Sequence, residues 1–188
     1  MSKPTLEDIM WMVFTKGNGS FGDFLTLMRF NDGFFDGRDK VIVELGTYLG
    51  MGAIILASRG AKVFTIDRYD RFDYEIIQKY LALWNITAIK NDTADEADNW
   101  TAESVNVLFV DGCHDHEGVR RDYRAWINKV MVGGVIIFHD IDPDHSGTWD
   151  FYNDDIQDEI MDGRLREIIC DETQHGHSSV IKVFVRNK

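Results

Sequence analysis

Cysteine is scarce. Cys113 and Cys170 are the only two in 188 residues, too few for the disulfide framework of a small secreted domain. Proline is equally rare, at two, and no Ser-, Gln- or Pro-rich tract marks a disordered linker. No apolar run approaches the ~20 residues that cross a bilayer. The opening stretch, MSKPTLEDIMWMVF, is interrupted by Glu7 and Asp8, which spoils it as a cleavable leader. The expected location is therefore cytoplasmic, with no membrane partner. Positive charge is short as well: 20 basic side chains stand against 32 acidic ones, a net charge of -12. Such a field repels nucleic acid. The one basic cluster, Arg120, Arg121 and Arg124, encloses Asp122 and reads as a solvated helix face. A small molecule is the expected partner, and no nucleic acid.

What the chain does contain is an ordered change of rhythm. Leu6, Ile9, Met10, Val13 and Phe14, then Phe21, Phe24, Leu25 and Met28 after the break Gly17-Asn18-Gly19-Ser20, have helical spacing. From Lys40 onward, short β-branched runs alternate with helical patterns. Val41 to Leu45, Lys62 to Asp67, Ile86 to Lys90, Val105 to Asp111 and Val135 to His139 read as strands. Ala53 to Ala57, the face Phe72, Ile76, Ile77, Tyr80, Leu81 and Trp84, Ala94 to Glu103, and the face Val119, Tyr123, Trp126, Ile127 and Val130 read as the helices between them. The last of these should stop at Gly133-Gly134. Alternation of this kind implies parallel βαβ units with right-handed crossovers. The ending differs. A helix carrying Trp149, Tyr152, Ile156 and Ile160 closes at Asp162-Gly163, and two strands follow, near Leu165 to Cys170 and Ser179 to Val185. The link between them is too short for a helical crossover, so the pair should be antiparallel. One domain is expected over 1–188, with a helical segment over 1–39 and an α/β core over 40–188.

The first strand runs into Glu44-Leu45-Gly46-Thr47-Tyr48-Leu49-Gly50-Met51-Gly52. A glycine-rich strand-to-helix turn brings backbone close to a ligand and aims helix N–H groups at it. The dinucleotide spacing G-x-G-x-x-G fails from either Gly46 or Gly50, and no Gly-Lys-Ser/Thr follows to make a P-loop. Asp67, closing the second strand, is placed to accept the hydroxyls of a ribose. Glycine turn and acid together point to an adenosine-containing ligand.

The stretch VELGTYLG, acidic-x-Gly-x-x-x-Gly after the first strand, resembles the cofactor motif of class I S-adenosylmethionine-dependent methyltransferases. With FVDGCHDHEGVRRDY and GGVIIFHD, it is similar to a subgroup of small-molecule O-methyltransferases, the cephalosporin hydroxylase and macrolide O-methyltransferase group. The match covers roughly Val41 to Asp140 and the terminal hairpin. It implies a Rossmann-like class I methyltransferase fold: a mostly parallel seven-stranded sheet ending in an antiparallel hairpin, helices on both faces, and residues 1–39 as a lid over the acceptor. It implies S-adenosylmethionine held by the turn residues Glu44, Gly46, Thr47, Tyr48 and Gly50, with Glu44 and Gly46 near its methionyl part, by Asp67 at the ribose, and by Arg68, Asp92 and Thr93 near the adenine, with Asp111 beside the methyl group. An N-cap role for Asp92 is the plainer alternative. The resemblance alone would make the chain a homodimer.

Ligands of open α/β sheets gather at the carboxyl ends of the strands. Asp111 ends the fourth strand there, and His139-Asp140 end the fifth. Two mechanisms of methyl transfer to a hydroxyl fit these residues. In one, Asp111, Asp140 and His139 hold a divalent ion, Mg²⁺ or Mn²⁺, that lowers the acceptor's pKa. The catechol-type relatives have Asn where Ile141 stands, and the macrolide enzymes have Glu where His139 stands, a change that favours Mn²⁺, Fe²⁺ or Zn²⁺. In the other, His139 is a metal-free general base, with His114 and His116 in reserve. Asp142, Asp144 and His145 surround Pro143 and read as a turn; His175 and His177 read as solvent-facing. A non-catalytic binder of an adenosine ligand is the rival function.

Overall fold

The computed structural model describes residues 38–71, 73–101, 104–168 and 181–188. The expected N-terminal helices, Phe72, the hairpin link and its two histidines lie outside these residues. Seven strands form one sheet: β1 Val41–Leu45, β2 Lys62–Asp67, β3 Ile86–Lys90, β4 Val105–Val110, β5 Val130–Phe138, β6 Leu165–Ile168 and β7 Lys182–Arg186. Their order is β3-β2-β1-β4-β5-β7-β6. The first five run parallel, and β7 lies antiparallel to both β5 and β6. This is the mostly parallel sheet with an antiparallel hairpin that the strand pattern implied.

Six helices lie among the described residues, α1 Met51–Ala57, α2 Tyr74–Leu81, α3 Thr93–Asn99, α4 His116–Trp126, α5 Ser146–Phe151 and α6 Gln157–Met161, with a π-helical turn, Tyr152–Ile156, joining the last two. They cover both faces, as the side chains of the strands require. β1 is buried along its whole length. Ile42, Val63, Val107 and Phe109 pack with Ile54 and Leu56 of α1 and Ile77 and Leu81 of α2. Val43, Leu45, Leu108 and Val110 pack with Val119, Tyr123 and Trp126 of α4 and Phe151 of α5. Alternate residues of one strand therefore feed two apolar layers, which is why the strands read as nearly continuous apolar runs. Among the described residues, no helix is long and apolar enough to cross a membrane.

Aspartates cap the starts of α2, α3 and α4. Asp73 accepts the N–H groups of Glu75 and Ile76 at 2.9 and 3.3 Å. Asp92 accepts those of Ala94 and Asp95, and Asp115 accepts that of Gly118 at 2.9 Å. Each satisfies donors that a helix start leaves open.

Two element boundaries differ from the sequence expectation. Val130, expected at the end of a helix face, is the first residue of β5; α4 stops at Trp126 and a 3₁₀ turn, Ile127–Lys129, intervenes. The strand then runs through Gly133, whose φ of 81° suits glycine, opposite a register shift between Val105 and Val107. A bulge thus carries the strand through the two glycines that would otherwise mark a stop. The helix expected to reach Glu103 ends at Asn99.

Candidate active site

β1 has β2 and β3 on one side and β4 on the other, so the chain reverses its direction of winding between β1 and β4. At such a switch point a crevice opens beyond the strand ends. Gly46 occupies it with a φ of 97°. Its N–H donates to the Ile66 carbonyl at 2.9 Å, while the Asp111 N–H donates to the Leu45 carbonyl at 2.8 Å. A Cβ on Gly46 would lie 2.2 Å from the Asp111 carbonyl oxygen. The glycine is thus required by the approach of β4 itself.

The remainder of the turn is organised from beneath. Asp67 accepts the Thr47 and Tyr48 N–H groups through Oδ2, at 3.0 and 3.2 Å, and the Tyr69 N–H through Oδ1 at 2.7 Å. It stays half-exposed at the end of β2, an acid held in place at the mouth of the crevice. Thr47 turns its side chain inward, into a chain of hydroxyls. The Tyr69 hydroxyl donates to Thr47 Oγ1 at 3.0 Å, Thr47 Oγ1 lies 2.6 Å from Thr65 Oγ1, and the Thr65 hydroxyl donates to Glu44. Glu44 is only 1% exposed. Burial pushes its pKa well above the ordinary carboxylate range, Asp111 and Asp67 add to the rise, and the Thr65 and Ala53 bonds oppose it. Glu44 therefore sits under the turn rather than at its surface. Gly50, at a φ of 80°, begins α1, and a Cβ there would meet Leu81 at 2.5 Å.

The expected adenine contacts lie at the ends of β2 and β3. Arg68 pairs with Asp70 at 3.1 Å on the surface. Asp92 is the N-cap of α3 and also takes the Arg121 guanidinium. Thr93 donates its hydroxyl to Asp122 at 2.5 Å, and its carbonyl accepts the Trp126 indole at 2.8 Å.

Asp122, whose arginine neighbours suggest a solvated face, is instead 2% exposed. Its Oδ2 has no hydrogen-bond partner among the described residues, and burial pushes its pKa up to about 6 despite the Thr93 and Arg121 contacts. The folded chain thus holds this proton more tightly than the unfolded chain, whose ordinary value is 3.8. The resulting loss of stability sets in as pH rises through about 4 and is complete above about 6, on the order of 3 kcal/mol. Asp122→Asn keeps an acceptor for Thr93 and removes the titration. Its melting temperature should exceed the native one at pH 8, with the gap closing below pH 4. An equal gap at both pH values in thermal unfolding would contradict the burial argument.

The strand-end acids and imidazoles do converge. His139 Nδ1 lies 3.1 Å from Asp111 Oδ1 and 3.1 Å from Asp140 Oδ1, and its side chain is 13% exposed. One ligand atom from each of the three residues falls within 4.8 Å of the others. Asp140 is buried and has a φ of 56°, a left-handed conformation that costs about 1–2 kcal/mol for most residues and less for Asp or Asn. His114 joins from the β4–α4 loop, with Nδ1 3.2 Å from Asp140 Oδ2 and Nε2 3.8 Å from Asp111 Oδ1. Burial acts to raise the pKa of Asp111, but the His114 and His139 contacts outweigh it and hold the carboxyl below its ordinary value. His116 goes elsewhere: its Nε2 lies 3.2 Å from Asp155 on the π-helical turn. His145, expected to belong to a plain turn, places Nε2 3.7 Å from Asp140 Oδ1.

Two carboxylates carry two negative charges into a half-buried space, and a cation relieves that repulsion. Carboxylate oxygens with imidazole nitrogens are also an accepted donor set for divalent ions. These residues therefore fit a metal. The glycine turn with Asp67 beside it fits an adenosine cofactor in the same sense.

A family model described as a methyltransferase domain matches residues 43–141, the stretch from β1 to the loop after β5. The uncharacterised protein y4gI of Sinorhizobium fredii is 28% identical over 134 residues, which is 61% of this chain and 15% of that protein. The chain therefore spans a small part of that curated relative. Among solved structures, an O-methyltransferase from Bacillus cereus in complex with SAH has a TM-score of 0.66 at 19% identity, covering 97% of this chain and 92% of the other. MycE, from the mycinamycin biosynthetic pathway, in complex with Mg, SAH and mycinamycin VI, has a TM-score of 0.64 at 16% identity, covering 99% of this chain and 55% of the other.

Proposed function

The chain belongs to the methyltransferase-domain family, and from that premise we propose that it transfers a methyl group from S-adenosylmethionine to a hydroxyl of a small molecule, assisted by a divalent ion such as Mg²⁺ or Mn²⁺ at Asp111, His139 and Asp140. The observation that carries this reading is the convergence of those three side chains within 4.8 Å, beside the glycine turn and Asp67. The SAH in the Bacillus cereus complex and the Mg, SAH and mycinamycin VI in the MycE complex support the same assignment.

Bound in this crevice, the donor supplies an electrophilic methyl group on a sulfonium sulfur, and the ion supplies positive charge beside the acceptor oxygen. The residues do the rest. Asp67 accepts the ribose hydroxyls while its bonds to the Thr47 and Tyr48 N–H groups keep the turn in shape. Asp92, Thr93 and Arg68 border the adenine, and Gly46 and Gly50 let backbone approach the methionyl part. Asp111 and Asp140 would hold the ion and, through it, orient the acceptor oxygen. The donor would offer a neutral thioether as the leaving group. The hydroxyl proton passes to an imidazole. His114 is placed for it, since its side chain is 47% exposed beside Asp140 whereas His139 is enclosed by both acids. The net charge of -12 favours a small acceptor over a polyanion.

The test is a calorimetric titration of metal-stripped protein with S-adenosylhomocysteine. Micromolar binding is expected, and Asp67→Ala should weaken it about 100-fold, the worth of one to two charge-assisted hydrogen bonds. Native affinity in the variant would remove Asp67 from the cofactor site. Binding of SAH without methyl transfer to any member of a hydroxyl library would favour a binding-only protein instead.

A further inference from the structure

Tyr69, two residues beyond Asp67, meets that acid by two separate routes. Its N–H donates to Asp67 Oδ1 at 2.7 Å, closing a turn in which an aspartate binds the backbone two residues on. Its hydroxyl donates to Thr47 Oγ1 at 3.0 Å, and the Thr47 N–H in turn donates to Asp67 Oδ2 at 3.0 Å. One residue thus reaches one carboxylate oxygen directly and the other through Thr47. These bonds close a ring that joins the end of β2 to the turn after β1. The Tyr48 N–H also donates to Oδ2, at 3.2 Å. Backbone donors therefore fill most of the roughly four acceptor positions that a carboxylate offers. The orientation so imposed decides which position is left for a ribose hydroxyl.

Tyr69 is itself held. It is 6% exposed, and its ring packs against Tyr74 at a centroid separation of 4.9 Å. The Tyr74 hydroxyl donates to the Ala88 carbonyl of β3 at 3.1 Å. Burial pushes the Tyr69 pKa upward, which keeps the proton on the phenol as a donor. The backbone of Tyr69 has a φ of 57°, a left-handed conformation that bulky residues rarely adopt. Such strain persists only where the surroundings over-determine it, and it gathers at ligand clamps. The bonds from the N–H and the hydroxyl supply that over-determination.

We propose that Tyr69 is a positioning residue for the cofactor: by fixing both oxygens of Asp67, it sets the preference of the crevice for an intact ribose. Its buried hydroxyl acts through Thr47 and Asp67 rather than on the cofactor itself. The inference rests on the reading of Asp67 as the ribose acceptor.

The experiment compares two probes by calorimetry on the purified chain: S-adenosylhomocysteine and its analogue lacking both ribose hydroxyls. The native chain should prefer SAH by about 100-fold. Tyr69→Phe keeps the ring against Tyr74 and removes only the hydroxyl. It should lose about 3- to 10-fold in SAH affinity, the worth of one hydrogen bond, while the analogue binds as before. Thr47→Val cuts the same link and should narrow the preference by a similar factor, whereas Thr47→Ser, which retains a hydroxyl, should keep it. The double variant Tyr69→Phe/Thr47→Val should lose little more than either alone, because both remove one interaction. Tyr74→Phe is the control. It removes a hydrogen bond from the same aromatic pair without touching Asp67, so it should melt lower yet keep the native preference. If Tyr69→Phe weakens both probes equally, or neither, the positioning role is overturned while the ribose assignment stands. An equal narrowing in Tyr74→Phe would overturn it in the same way. A native chain that does not distinguish the probes would remove Asp67 from the ribose, and the proposal with it.

Discussion

Replacing Asp140 by Asn is expected to lower divalent-ion affinity by more than about 100-fold, since loss of an outer supporting group alone costs 10- to 100-fold, and to take methyl transfer down with it. Asn is the informative substitution. The residue sits at a φ of 56°, which Asn tolerates better than Ala does, and the backbone carbonyl that receives the Thr148 hydroxyl is untouched. What changes is one negative charge at the point where His139, His114 and His145 all converge. Without an ion, that charge repels Asp111, so the variant should melt no lower than the metal-stripped native chain. Activity lost with the fold retained, and partly restored by excess Mn²⁺, is the expected pattern. Undiminished transfer by metal-stripped Asp140→Asn would sink metal assistance and leave an imidazole alone to take the proton.

Gly46→Ala should cost more than about 4 kcal/mol of stability, at the extreme of single substitutions, and abolish SAH binding. Two penalties coincide. A φ of 97° is strained for any residue with a Cβ, and the added carbon would lie 2.2, 2.6 and 2.7 Å from backbone atoms of Asp111 and Gly112. None of these can swing aside as a side chain could. The ends of β1 and β4 would have to part, breaking the Asp111 N–H bond to Leu45 and spreading the crevice. Gly163 is the internal control: its φ is 67°, and a methyl group there would meet nothing within 4 Å, so Gly163→Ala should cost only about 1–2 kcal/mol. Urea denaturation of the two variants separates the effects. Equal losses would show that backbone strain alone, and not the approach of β4, requires the glycine.

The sheet is legible in the sequence because its five parallel strands read as short apolar runs between turns, with β1 buried along its whole length. Val130 reads as helix because it continues the spacing of Val119, Tyr123 and Trp126, a local pattern that says nothing of the strand alongside. Asp111, His139 and Asp140 are legible for a topological reason: parallel strands deliver their last residues to one edge. Side-chain roles that depend on a distant neighbour are not. Glu44 belongs to a cofactor motif, but only the register placing Thr65 opposite it buries it in a hydroxyl network. Asp122 lies among arginines in sequence, and only the packing of α4 against α3 brings Thr93 to its carboxyl. His145 does lie in a turn, as its neighbours Asp142 and Pro143 indicate. Where that turn aims the ring depends on contacts that no local pattern encodes.

The position of β7 bears on how the sheet is assembled. It comes last of the seven strands in the chain yet lies between β5 and β6. β6 is earlier in sequence, but among the described residues its backbone pairs only with β7. It therefore has no place in the sheet until the later strand arrives. The parallel part, with its βα crossovers, can form while the chain is still being extended, but the antiparallel edge forms in one concerted event. Contacts so distant in sequence are slow to form. Until they do, β5 presents an open edge beside the His139 and Asp140 that follow it, able to pair with another chain. The interval before β7 docks is thus when this protein is most exposed to misassembly.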